Sequence, residues 1–419
     1  MNIVYLHTHD TGRYIEPYGY AVPTPNLMQL ATEGVLFRQA YCAGPTCSPS
    51  RAGLLTGMAP HSAGMLGLAH RGARLHDYNQ HLVPYLKRNG YETVLCGIQH
   101  EAPEAAMIGY DHILGNPDYD MSNFSFRSVE WDEENANAAA SYIRQQHDKP
   151  FFLSVGLFNT HLNFPDPDPG IQRDYVAMPY QFHDCAENRE QWAAYMTSAQ
   201  AADRCAGIVL EALKDSGLWE DTLIIFTTDH GLPFPRMKCS LFDSGIGVSL
   251  IIRAPHIERN GKAVDGLVSH LDVFPTICDI AGLRPPSWLQ GYSLVPYLEG
   301  RSTSVRSSVY AEINHHVDYE PMRAVRTERY KYIRNFGECT YLPRNLDASM
   351  HGSFLLENGF LETEKPAEML FDLYLDPVER TNLAQCSTYS EVRASMEKEL
   401  LDWMEATNDP LLHGDVGII

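Results

Sequence analysis

The chain has 419 residues and a formal charge of −21, from 32 Lys+Arg against 53 Asp+Glu. That balance argues against nucleic acid or an anionic membrane surface as the main partner, and suits a small anionic ligand better than a long polyanion. The length fits one large α/β domain plus a smaller one, and no segment approaches the roughly twenty apolar residues of a membrane span. Met1-Asn2 leads straight into Ile3-Val4-Tyr5-Leu6, with no basic region and no cleavage site, so the expected location is cytoplasmic. The nine Cys (42, 47, 96, 185, 205, 239, 278, 339 and 386) are scattered and odd in number, which fits a reducing compartment.

The first element is a buried strand, Asn2 to His7, that delivers His9 and Asp10 at its C-terminal edge. Thr24-Pro25-Asn26-Leu27 opens a helix that Gly34 stops, and Val35 to Tyr41 reads as a strand. Cys47-Ser48-Pro49-Ser50-Arg51 then reads as a helix start, with Ser48 as N-cap, Pro49 at the first helical position and Gly57 as the left-handed terminator. Cys47 would sit at the positive end of a helix with Arg51 one turn on, a place for a tetrahedral oxyanion. His61 follows in a Pro-His-Ser-Ala-Gly turn. His81 to Asn89 is a helix, and Glu92 to Cys96 a strand ending in Gly97-Ile98-Gln99-His100. Residues 101 to 132 read as an irregular excursion at the pocket rim, and Glu133 to Gln146 as a helix.

Pro150 to Leu157 is a buried strand that delivers His161. Asn188 to Asp215 is one long scaffold helix. Thr222 to Thr228 is an apolar strand ending at Asp229-His230. With Asp10 from another strand end, these side chains supply oxygen and nitrogen ligands for one metal ion. Lys238 precedes the apolar run Val248 to Ile252. From about Arg301 the texture changes to short strands, Val309 to Glu312, Arg323 to Thr327, Arg329 to Ile333 and Leu370 to Leu373, closed by a helix from about Glu391 to Asn408. His315 and His316 lie in the first loop of that part.

Cys47-x-Pro-Ser-Arg followed by Leu54-Leu55-Thr56-Gly57 resembles the signature of type I sulfatases. Family order continues in Thr24-Pro25-Asn26-Leu27, Gly97-x-x-His100, His161, Asp229-His230 and Lys238-x-x-Leu241-Phe242-Asp243. The resemblance spans the whole chain, and the Cys47 string looks similar to that of heparan N-sulfatases, with bacterial sulfatases of glycosaminoglycan sugars as the wider class. It implies an alkaline-phosphatase-like fold, a large mixed sheet between helices over residues 1–305. A smaller antiparallel sheet-plus-helix part, 306–419, would complete the pocket rim. It implies that Cys47 is oxidised by a maturation enzyme to formylglycine, whose hydrate is the nucleophile. Asp10, Cys47, Asp229 and His230 would hold one divalent ion, calcium with magnesium as the alternative. Arg51 would assist ionisation of the hydrate, and Lys238 and His161 would bind the sulfuryl oxygens. His161 or Lys238 would protonate the leaving group, and His100 would collapse the covalent intermediate. His61, His315 and His316 are the candidate substrate contacts. The expected substrate is a small sulfated saccharide, with N- or O-sulfated glucosamine leading.

Two positions depart from the pattern: His9 stands where the family has a first Asp, and Ile98 where it has Lys. The second keeps a phosphonate or phosphate ester hydrolase open as the alternative, and a binding protein on a decayed scaffold is the reading from another class.

Overall fold

The computed structural model describes residues 1–117, 128–257, 261–414 and 416. Nine strands form the large sheet: β1 (Asn2–Thr8), β2 (Val35–Tyr41), β3 (Glu92–Gly97), β4 (His112–Leu114), β5 (Phe151–Gly156), β6 (Thr222–Thr228), β7 (Gly247–Val248), β8 (Leu250–Arg253) and β9 (Lys262–Ser269). Their order is β4-β3-β5-β1-β6-β8-β2-β7, with β9 also on β2. Both faces are covered. In β1, Ile3 and Tyr5 pack into one apolar cluster while Val4 and Leu6 pack into another on the opposite side. That is why the strand reads as a continuous apolar run rather than an alternating one. Each such side chain contributes about 1.5–3 kcal/mol by leaving water.

The strands β3, β5, β1 and β6 are mutually parallel. β2 pairs antiparallel with β8, which pairs antiparallel with β6, so β2 runs the same way. All five therefore end at one edge of the sheet, where ligands gather in open α/β folds. Gly156 closes β5 at that edge. A Cβ there would fall 2.0 Å from the Ile98 carbonyl oxygen and 2.7 Å from the His7 ring, so only glycine lets these segments meet.

The helix after β2 spans Cys47–Thr56 and is buried throughout. It corrects one sequence expectation. Thr46, in an extended conformation, is the N-cap, and Cys47 itself is the first helical residue. Ser48 is inside the helix, its Oγ accepting the Ala69 N–H at 2.9 Å. The expected stop holds: Gly57 is left-handed, with φ 68°.

Elsewhere the strand at 248–252 is broken, because the Ser249 N–H leaves the ladder to donate to the Gly12 carbonyl at 2.8 Å. The excursion over 101–132 contains the short strand β4, and its helix begins at Ser128, before the expected Glu133. Residues 118–127 of that excursion lie outside the described residues. β9 and a helix at Met350–Glu357 were not expected.

A second, four-stranded antiparallel sheet follows: β10 (Ser308–His315), β11 (Tyr319–Thr327), β12 (Tyr330–Asn335) and β13 (Glu368–Asp372). The last helix, Ser390–Ala406, lays Met396, Leu400 and Met404 on Val325, Tyr332 and Leu370 of this sheet. The turn after β10 is drawn toward the Cys47 region by the His315 N–H, which donates to the Leu66 carbonyl at 3.0 Å. No helix among the described residues is long and apolar enough to cross a membrane.

Candidate active site

Strand ends deliver most of the chemistry. β1 runs out into His9 and Asp10, and Asp10 adopts φ 52°, a conformation unusual outside glycine, as its N–H donates to Asp229 Oδ1 at 2.8 Å. β6 runs out into Asp229 and His230. Both carboxylates are fully buried and heavily paired. Asp229 Oδ1 also accepts the His230 N–H at 2.9 Å, while Oδ2 lies 3.1 Å from Arg51 Nη2 and 3.0 Å from His9 Nδ1. Burial alone would raise the Asp229 carboxyl, but the cationic groups of His230, His9 and Arg51 outweigh it and hold it well below the ordinary range. Asp10 Oδ1 lies 3.2 Å from His230 Nε2, and Asp10 Oδ2 accepts from Lys238 Nζ at 3.0 Å.

Two sets of four side chains lie close enough to share a cation: Asp10, Cys47, Asp229 and His230, and His9, Asp10, Cys47 and His161. The first is the set expected from the sequence. Its chemistry fits a divalent ion. Two carboxylates converge, and the His230 ring is oriented by its Nδ1–H donating to the Gly231 carbonyl at 2.9 Å, which leaves Nε2 directed inward. That Nε2 is buried beside Asp10 Oδ1 and the Cys47 side chain, so it faces the same centre as the other three side chains of the set.

Cys47 is 2% exposed, at the start of its helix. Burial would raise its thiol, but the charges of Lys238 and His9 and hydrogen bonds from His100 and His161 hold it well below the ordinary thiol range. His161 is held by its Nδ1–H on the Leu162 carbonyl, which turns Nε2 toward Lys238 Nζ at 3.3 Å. Burial pushes His100 down to about 4, so it is a neutral base at neutral pH. Its Nε2 lies 3.0 Å from His70 Nδ1, and the two rings stack at 5.2 Å. Burial would lower the Lys238 ammonium, but Asp10 and Asp347 keep it well above its usual value, so it stays charged.

Arg51, Asp10, Asp229, His230, His100, His161 and Lys238 thus surround Cys47 as the sequence led one to expect. His61 does not join them. Its Nδ1 is bonded to Glu312, and its ring stands edge-on to Trp403 at 5.4 Å, so it belongs to the seam with the second sheet. His315 packs its ring on Tyr319 at 4.7 Å. His316 reaches the centre only through Asp347, 3.6 Å from its Nε2. Ile98 is fully buried against Trp131 and Phe158. The phenyl ring of Phe158 lies in turn 5.2 Å from that of His161, so the wall is apolar where the family pattern has a cation.

Sequence reasoning missed His7, His70 and Asp347. His7 lies inside an apolar run, where burial lowers it well below the usual imidazole range and leaves its Nδ1 to accept from Arg51 Nη1. Asp347 carries no local signal, being brought to Lys238 by the second sheet.

A mostly apolar cavity of about 420 Å³ lies beside this centre, lined by Lys238, Leu241, Met322, Leu342, Phe360 and Met369 among others. It contains none of Asp10, Cys47, His100 or His161.

Comparison with known proteins agrees with this geometry. The sulfatase family profile matches residues 1–283, and the profile of the C-terminal part of N-sulphoglucosamine sulphohydrolase matches residues 233–342. An ulvan-active sulfatase of Formosa agariphila is 29% identical over 100% of this chain and 82% of its own length. Human N-sulphoglucosamine sulphohydrolase is 28% identical over 95% of this chain and 88% of its own. The solved structure of a 2-O GAG sulfatase superposes with a TM-score of 0.77 at 22% identity, covering 100% of this chain and 95% of that one. With the signature cysteine at a helix start, ringed by the expected carboxylates, imidazoles and lysine, the chain belongs to the sulfatase family and is a sulfuric ester hydrolase.

Proposed function

We propose that this enzyme releases inorganic sulfate from a small sulfated carbohydrate, an N- or O-sulfated glucosamine first among them. The observation that carries it is the convergence of Lys238, His161 and His100 on Cys47, beside the buried carboxylates Asp10 and Asp229. Human N-sulphoglucosamine sulphohydrolase is similar over nearly the whole chain, which supports an amino-sugar substrate. We place residues 1–305 as the catalytic part and 306–419 as the part that completes the rim.

The divalent ion, calcium with magnesium as the alternative, would be held by Asp10, Asp229, His230 and residue 47. When bound, it and a Cys47-derived formylglycine supply a Lewis acid and an ionisable hydrate nucleophile. The rest is done by the chain's own side chains. Arg51 lies against Asp229 and fixes that carboxylate. Lys238, charged and buried, binds the sulfuryl oxygens and stabilises the charge that develops on them. His161 orients the sulfuryl group and passes a proton to the leaving oxygen or nitrogen, with Lys238 beside it as the alternative donor. His100, neutral at working pH, takes the proton whose loss expels sulfate. Cys47 is almost fully buried, so the maturation enzyme would have to meet the Cys47–Arg51 segment before the fold closes.

The test is sulfate release from N-, 3-, 4- and 6-sulfated amino sugars, beside matched phosphate and phosphonate esters, with the mass of the Cys47 peptide read in parallel. Release from a sulfated amino sugar by protein carrying the aldehyde is the expected result. Normal turnover by protein with an intact Cys47 thiol, or a clear preference for phosphorus esters, would overturn it.

A further inference from the structure

Lys238 is held between two carboxylates, and they differ. Asp10 Oδ2, 3.0 Å away, belongs to a fully buried side chain of the large sheet. Asp347 Oδ2, 2.7 Å away, belongs to a side chain that is 22% exposed and comes from the C-terminal part. Asp10 is also one of the side chains that would hold the divalent ion, so its charge is committed there. Asp347 is the carboxylate of the pair that lies on the C-terminal side of Lys238, where a bound sugar would extend.

The position of Asp347 is not accidental to its loop. Two residues earlier, Asn345 Oδ1 accepts the Val317 and Asp318 N–H groups at 2.9 and 2.8 Å, and the Arg344 N–H donates to Asp318 Oδ2 at 2.9 Å. These bonds tie the loop to the turn that carries His316. Asp347 Oδ2 is buried against Lys238, while Oδ1 lies 3.6 Å from His316 Nε2 on a side chain that is 22% exposed. An ionised carboxylate can only accept hydrogen bonds. A group held by Lys238 is therefore within about two hydrogen-bond lengths, roughly 5–6 Å, of a partly exposed acceptor.

We propose that Asp347 is a specificity-determining residue that accepts a hydrogen bond from a hydroxyl or amine on the sugar carbon next to the sulfated position. His316 holds its carboxylate in place. This rests on the carbohydrate sulfatase reading above and narrows it to substrates with a donor adjacent to the sulfate. It selects against flat sulfate esters that lack one, because such ligands would leave the carboxylate desolvated and unpaired.

The experiment compares Asp347→Ala and Asp347→Asn with the wild-type enzyme on two probes, N-sulfoglucosamine and 4-nitrophenyl sulfate. For Asp347→Ala, kcat/KM on the sugar should fall on the order of 10- to 100-fold, mostly through KM, with less than about 5-fold change on the aryl ester. Asp347→Asn keeps an acceptor oxygen and should recover part of the sugar activity. An equal fall on both probes would overturn the proposal and make Asp347 a support for Lys238 only. Should the wild-type enzyme release sulfate from neither probe, the glucosamine reading of the substrate fails, and binding of both probes in a Cys47→Ala background decides for Asp347. Loss of sugar binding alone supports it, and parallel loss overturns it.

Discussion

Among the described residues the two most deeply buried arginines, Arg51 in the large sheet's active edge and Arg323 in the second sheet, are solvated by protein in different ways. Arg323 reaches five acceptors: both oxygens of Asp409, the carbonyls of Ile313 and Met322, and Asn314 Oδ1. Arg51 reaches Asp229, the Thr8 carbonyl and His7, and its Nε has no partner. Near it His9 Nε2 is likewise buried without a hydrogen bond. A buried ionic network that is complete serves the fold, because any missing partner would cost it stability. One that stops short, with buried polar atoms left over, is arranged for something that arrives later. The Arg323 guanidinium belongs to the first kind and the Arg51 guanidinium to the second.

The sharpest separation comes from Cys47→Ala, which should abolish sulfate release, a loss on the order of 10⁴-fold or more, while thermal unfolding stays near wild type. Arg323→Ala should do the reverse. Leaving Asp409 buried and unpaired costs about 3–5 kcal/mol, read as a lower urea midpoint, with the kcat of the remaining folded protein little changed. Lys238→Ala tests whether the contrast survives inside the active site. A fall in kcat of about 10²- to 10³-fold is expected, with a smaller effect on melting. If melting collapses instead, Lys238 belongs to the structural kind and the contrast is broken.

The smallest effect concerns pH. His81 is fully buried, caps the helix at Leu82–Arg88 by accepting the Val83 N–H, and is pushed by burial down to about 3 from 6.5. The unfolded chain binds that proton first, so the contribution is present above 6.5 and is lost as pH falls toward 3. Between pH 7 and 5 the wild type should lose on the order of 2 kcal/mol more than His81→Asn, which keeps a cap but cannot titrate. Equal losses in parallel urea titrations would show that the histidine is not buried neutral.

Much of the site was legible because its residues stand at the ends of apolar runs. Asp10, Asp229, His230 and His161 each follow a strand that reads as buried on both faces, and parallel strands bring their ends together by topology. The Cys47 helix was legible from Gly57 and the signature, although its cap shifted by two residues, since Ser48 found a better use bonding the Ala69 N–H. His61 misled because a histidine in a polar turn looks the same whether it faces a pocket or a neighbouring sheet. Glu312 and Asp409, 251 and 348 residues further along, decided that. β9 escaped because its exposed Lys262, Ala263 and Asp265 break any strand pattern, and only pairing with β2 makes it a strand.

The sequence by itself determined the fold class and which carboxylates, imidazoles and lysine gather around Cys47, because strand-end placement and a helix start are local properties. Only the tertiary structure decided which charges are complete and which are left waiting. It also brought Asp347 to Lys238, 109 positions earlier in the chain, because a carboxylate in an aperiodic loop has no neighbour in sequence that says where it will land. Charge pairing acts across space, and its balance exists only once distant segments have met.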